Sequence, residues 1–167
     1  MKRAAASALV AGSILSLLAG SLVWAAPGKV TDPDTLAGLA AVRQATARYH
    51  DVSQALADGY IPLSPCVAVP GLGTMGIHYA NLALAGDPAV SATSPEILLY
   101  VPASEGLRLV GVEYFAFDAG QQAPEVLGRP MNGPMIHPGD PIPSHFDLHA
   151  WTWQGNRAGI FADFNPG

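Results

Sequence analysis

The sequence predicts an α+β domain: a helical arm packed on one face of an antiparallel sheet of about four strands. Three observations point there. Residues 31–59 hold two capped segments with helix-like spacing of apolar residues. After Gly59 the pattern changes to alternation by two, in runs separated by short Gly/Pro turns that suit hairpins. The alternate positions of those runs collect His78, Glu113, His145, Asp147 and His149 on one side and apolar residues on the other.

Met1-Lys2-Arg3 is a basic start, Ala4 to Val23 is apolar, and Val23-Trp24-Ala25 has the small-x-small form of a cleavage site. Residues 1–25 therefore read as a secretory signal peptide and residues 26–33 as a linker, leaving residues 34–167 as a single α+β domain. An uncleaved anchor is the alternative for the apolar run. Without Lys2 and Arg3 the basic count falls from 8 to 6 against 13 acids, a formal charge of −7. That balance argues against nucleic acid and anionic membrane as partners. The expected location is secreted or periplasmic, with no stable membrane insertion after cleavage.

Thr31 or Asp32 caps the first helix, with Pro33 at its first position and Leu36, Leu39, Ala40, Val42, Arg43 and Ala47 following to about Tyr49. Asp51 with Gln54 three residues on reads as a second cap, and Gly59 closes that helix. His50 falls at the joint and reads as a surface histidine. Residues 61–74 read as loop, 75–81 as a strand, 82–94 as loop, and 96–101 and 107–117 as a hairpin turning at Ser104-Glu105-Gly106. In that last strand Leu109, Gly111, Glu113, Phe115 and Phe117 share a face. Glu113 is an acid in nearly continuous apolar sequence, costly to bury unless paired, protonated or bound to metal. Pairing with Arg108 or Arg129 is the ordinary alternative. Residues 118–143 read as a long connection holding Met131, Met135 and His137, an order that suits copper but also plain gap filling. Phe161 and Phe164 belong to a closing segment docked on the core. Cys66, the single cysteine, reads as buried by default.

The most informative run is residues 144–153. As a strand it sends His145, Asp147, His149, Trp151 and Trp153 one way and Phe146, Leu148, Ala150 and Thr152 the other. Pro141 and Pro143 before it, and its Phe, Trp and Thr content, favour a strand over a helix. At ~3.3 Å per residue, His145 and His149 are about 13 Å apart along the chain, so a metal site here needs ligands from other strands. A solvated edge strand is the bland alternative, and it would leave two tryptophans in water.

Taken together, Asp51…Gly59-Tyr60, Met75-Gly76-Ile77-His78-Tyr79, residues 107–114, His145-Phe146-Asp147-Leu148-His149-Ala150-Trp151 and Asn165-Pro166 resemble a family of small secreted bacterial proteins of unknown function. The resemblance runs from about Thr46 onward. It implies a compartment and no particular chemistry. In related sequences a cysteine a few residues further on is placed to pair with the one matching Cys66. This chain stops at Gly167, so Cys66 has no such partner within it.

The residues themselves point to an extracytoplasmic metal-binding protein. His78, Glu113, His145, Asp147 and His149 are its ligand candidates, and Trp151, Trp153, Met135 and His137 line its pocket. Imidazole with carboxylate suits a divalent metal: Zn, Cu or non-haem Fe. An open coordination position would activate water or support oxidative chemistry, so the protein is a candidate metal-dependent enzyme. The first alternative is a metal-free binding module whose Trp/His face grips a small molecule or an envelope glycan. The second is a structural envelope protein with satisfied core histidines. No phosphate-binding loop or dinucleotide fingerprint occurs, so no nucleotide cofactor is expected.

Overall fold

The structure, a computed structural model, describes residues 30–136 and 141–167. The proposed leader, the linker up to Lys29, and His137 lie outside the described residues. The first helix, α1, spans Pro33–Thr46. Asp32 caps it by accepting from the Thr35 N–H at 2.8 Å, so Asp32 fills the capping role. Thr35, Leu39, Val42 and Thr46 are its buried residues. Leu36, placed on the apolar face by its spacing, is instead 47% exposed. A turn of 3₁₀ helix, Ala47–His50, leads to α2, Val52–Ala57, which Asp51 caps by accepting from the Ser53 N–H at 2.9 Å.

Strands follow: β1 (Tyr60–Pro62), β2 (Val67–Val69), β3 (Gly73–Asn81), β4 (Ile97–Ala103) and β5 (Gly106–Phe117). A one-turn helix, α3 (Leu82–Ala85), interrupts them, capped by the Asn81 side chain. Beyond β5, β6 (Glu125–Val126) and β7 (Arg129–Pro130) form a small separate pair, and β8 (Asn132–Met135) and β9 (His145–Ala150) rejoin the main sheet. Among the described residues the main sheet is antiparallel in the order β1-β3-β4-β5-β9-β8, with β2 also on β3, so it has seven strands. It is larger than expected because the Pro- and Gly-punctuated segments 61–74 and 118–143 contain short edge strands. Their composition conceals the pairing, since Pro gives up a ladder donor and is confined to edges.

Two buried clusters flank the sheet. On the helix side Leu39, Val42, Leu98, Tyr100, Leu109, Val112, Tyr114, Phe146 and Leu148 pack together. On the other, Ala80, Ile97, Leu99, Val110, Phe115 and Trp151 do so. Leu109 was expected beside Glu113, but a register shift corrects this. Leu99 pairs with Gly111 and Tyr100 with Leu109, leaving Val110 as the extra residue of a bulge. Leu109 therefore joins the helix side. Gly111 admits the end of β9, since a Cβ there would lie 2.7 Å from the Ala150 carbonyl oxygen.

The run from His145 to Trp153 is not one strand. β9 ends at Ala150. The Trp151 N–H donates to the Ile160 carbonyl at 2.8 Å, and the Trp153 N–H to the Val110 carbonyl at 3.1 Å. The two indoles part: Trp151 joins the non-helical cluster, while Trp153 packs on the helix side and donates from Nε1 to Thr46 Oγ1 at 3.1 Å. Cys66, expected to be buried, is exposed in the turn between β1 and β2.

Candidate functional site

Register decides which polar side chains meet. On β5 Glu113 stands opposite Ile97 of β4 and His149 of β9, and His78 of β3 stands opposite Leu99. Period-two alternation then puts His78, Glu113, His145, Asp147 and His149 on the face away from the helices.

His78 Nε2 is 3.3 Å from Glu113 Oε2, and His149 Nε2 is 3.6 Å from the same oxygen. One ligand atom from each of these three residues lies within 4.8 Å of the other two. Arg108 and Arg129, the alternative partners for Glu113, are not used. Arg129 instead stacks over the Phe161 ring, 4.4 Å from its centroid. His78 is braced on its other side: Ser64 Oγ lies 2.8 Å from Nδ1, accepts from the His78 backbone N–H, and sits 2.8 Å from the Pro65 carbonyl oxygen. With the hydroxyl hydrogen on that carbonyl, Nδ1–H donates to Ser64 and Nε2 turns a lone pair toward Glu113.

A second group, Asp147, His149 and Asp163, also brings ligand atoms within 4.8 Å of one another. His149 Nδ1 is 3.8 Å from Asp163 Oδ1. Asp163 was not singled out from the sequence. It lies in the closing segment, 14 positions beyond His149 in the chain, where no periodic pattern marks it. His145 shares the face but belongs to neither group. Its Nδ1 is 2.8 Å from the Pro143 carbonyl oxygen and its ring stacks on Phe115 at 5.0 Å. Of the proposed pocket residues, Met135 pairs with His145 across β8 and β9. Trp151 and Trp153 line a cavity with Arg43, Gln154 and Asn156, and none of the convergent ligands is among its lining residues. Met131, part of the copper pattern, is buried in the helix-side core.

The electrostatics of the three-residue group are unusual. Glu113 is buried, and burial first, then the charges of Asp147, Asp163 and Glu96, push its carboxyl well above the usual range. His149 is 1% exposed, and burial, reinforced by His78, pushes its pKa down to about 3. Neither ring nitrogen of His149, nor Oε2 of Glu113, has a hydrogen-bond partner among the described residues. Such orphaned groups cost about 1–3 kcal/mol each unless something answers them. Two imidazoles and one carboxylate are a ligand set shared by mononuclear zinc hydrolases and by non-haem iron sites. Among the described residues no helix is long and apolar enough to cross a membrane. The chain matches no protein-family model, no curated protein and no solved structure.

Proposed function

We propose that the protein is an extracytoplasmic metal-binding protein whose ion is held by His78, Glu113 and His149. The observation that carries this reading is a pair of buried atoms without a hydrogen-bond partner among the described residues, Oε2 of Glu113 and Nε2 of His149, converging with His78 from three different strands. A divalent ion compensates the buried carboxylate and accepts one lone pair from each imidazole, which turns these desolvation costs into coordination bonds. Zn²⁺, Cu²⁺ and Fe²⁺ all suit such a donor set. A centre with three protein ligands keeps positions for water or substrate, the requirement for metal-assisted hydrolysis or oxidation. The basic start, apolar run and Val23-Trp24-Ala25 support export.

The ion should stabilise the fold by mass action. At a hundredfold excess over the dissociation constant the gain is about 2.7 kcal/mol, a rise of several degrees in Tm. Melting curves of chelator-stripped protein with Zn²⁺, Cu²⁺ or anaerobic Fe²⁺ restored test this, beside His78→Ala and His149→Ala. A wild type unmoved by every metal, or variants that respond as it does, would overturn the reading. N-terminal sequencing of exported protein should begin at Ala26.

A further inference from the structure

His149 offers two nitrogens that point to opposite sides of its ring, and the fold has placed carboxylates at both. Nε2 is 3.6 Å from Glu113 Oε2, and Nδ1 is 3.8 Å from Asp163 Oδ1. We propose, resting on the metal reading above, a second divalent-cation position formed by Asp147, His149 and Asp163, sharing the His149 ring with the first. The ligand atoms of this group already lie within 4.8 Å of one another. The independent sign of a ligand is Nδ1 of His149, in a side chain 1% exposed and without a hydrogen-bond partner among the described residues.

Asp163 is held in place by its flanks and not by chance. Trp151 Nε1 donates to the Ala162 carbonyl at 2.6 Å, and Asn156 Nδ2 donates to the Phe164 carbonyl at 3.0 Å. Asn165 exchanges backbone hydrogen bonds with Thr74 at 2.9 Å in both directions. The Asp163 side chain itself is 51% exposed. The two positions therefore differ in access. The first is enclosed by side chains 15%, 7% and 1% exposed, whereas the second opens to solvent at Asp163. Two carboxylates and one nitrogen suit a borderline or hard divalent ion that retains water, such as Zn²⁺ or Mn²⁺. A neutral imidazole has one lone pair and one N–H, so the ring reaches both ions as imidazolate. As the second ion binds, the ring proton passes to water and no other bond changes.

Metal content after equilibrium dialysis of the chelator-stripped full chain against Zn²⁺ tests this, with Asp163→Ala and His78→Ala alongside. The half-exposed position of Asp163 makes Asp163→Ala the safer variant for folding, checked by its circular dichroism melt. Wild type should hold two equivalents of zinc, and each variant one. Loaded with Cu²⁺, the wild type should lose most of its paramagnetic resonance signal through coupling across the shared ring, and Asp163→Ala should regain the full signal of one isolated copper. One equivalent in the wild type that survives Asp163→Ala, or two that survive it, overturns the second position and leaves the first standing. No bound zinc overturns the second position, and the first falls with it only if Cu²⁺ and Fe²⁺ also leave the melt unmoved.

Discussion

Glu113 and Tyr114 are neighbours on β5 and are both buried, yet they face opposite sides of the sheet and meet opposite fates. The Tyr114 hydroxyl donates to the Ala92 carbonyl at 2.8 Å. On the same helix-facing side the Tyr100 hydroxyl donates to the Tyr49 carbonyl at 2.6 Å, and Tyr60 donates to the Pro95 carbonyl at 2.7 Å. Each of these three hydroxyls ends on a backbone acceptor, as a structural core requires. Across the sheet, Oε2 of Glu113 and both nitrogens of His149 end on no hydrogen-bond partner among the described residues. The same ladder thus carries one face built for stability and one that accepts a cost for something else. Strained or unsatisfied groups of this kind gather where a protein functions.

The contrast breaks most heavily on the helix side. Leu148 is 1% exposed within that cluster, and Leu148→Ala should cost about 3 kcal/mol by denaturant unfolding. The stabilisation gained from added metal should be unchanged, because the side chain points away from the ligands. Glu113→Gln should do the reverse. In chelator-stripped protein it should melt no lower than wild type, since a buried carboxylate with no arginine or lysine partner among the described residues is removed. The metal-dependent gain of about 2.7 kcal/mol at hundredfold excess should vanish. A loss of about 3–5 kcal/mol in the stripped variant would instead make Glu113 half of a structural ion pair with its histidines.

How much of this contrast was legible depended on periodicity. Strong alternation in 75–81, 107–117 and 145–149 was enough to gather His78, Glu113, Asp147 and His149 on one face, because a strand has no freedom to send them elsewhere. The two helical caps at Asp32 and Asp51 were equally plain, being local chemistry. What escaped was long-range or off-period. The bulge at Val110 moved Leu109 to the other side of the sheet without leaving a turn signal. The end of β9 at Ala150 separated Trp151 from Trp153, and it is set by the Ile160 and Val110 carbonyls accepting from the Trp151 and Trp153 N–H groups, not by a breaker residue. Asp163 reaches the site through tertiary contacts alone, 50 positions beyond Glu113. The extra edge strands were hidden in Pro- and Gly-rich segments whose pairing needs a neighbouring strand to be visible.

Acid–base behaviour sharpens the contrast more gently, through Glu96. Its Oε2 accepts from the Phe115 N–H at 3.0 Å, a donor that β4 leaves unpaired because its ladder starts at Ile97. Burial pushes its carboxyl from 4.5 up to about 7, with Asp87 adding to the shift. Glu113 and the hydroxyls of Tyr60 and Tyr114 also feel its charge. The folded state holds this proton more tightly than the unfolded chain. Its contribution is therefore complete below about pH 4.5 and lost as pH rises through about 7. His149 runs the other way, its contribution complete above about 6.5 and lost as pH falls toward 3. Glu96→Gln keeps the acceptor and has no proton to lose. Measured as a difference from wild type in chelator-stripped protein, where the His149 contribution cancels, its stability should improve from pH 4.5 to pH 7. A flat difference would mean that Glu96 is hydrated and titrates normally.

The smallest effect tests where the two faces part at the end of β9. Trp153 and Trp151 are two residues apart and would share a face if the strand continued. Instead Trp153 donates to Thr46 Oγ1 at 3.1 Å and meets the His50 ring edge-on at 4.4 Å, on the helix side. Thr46 in turn donates to the Val42 carbonyl at 2.7 Å, so the indole N–H closes a short chain that fastens the last turn of α1 to the sheet. Trp153→Phe keeps an aromatic ring against His50 and removes that donor. One neutral hydrogen bond is worth about 1 kcal/mol, and the partner left behind still has its bond to Val42. A fall in stability of about 1 kcal/mol is therefore expected, read by urea denaturation. Zinc affinity, read by competition with a chelating dye, should stay within twofold of wild type. A tenfold loss of affinity with intact stability would put Trp153 back on the ligand face and extend the row of His145, Asp147 and His149 past Ala150.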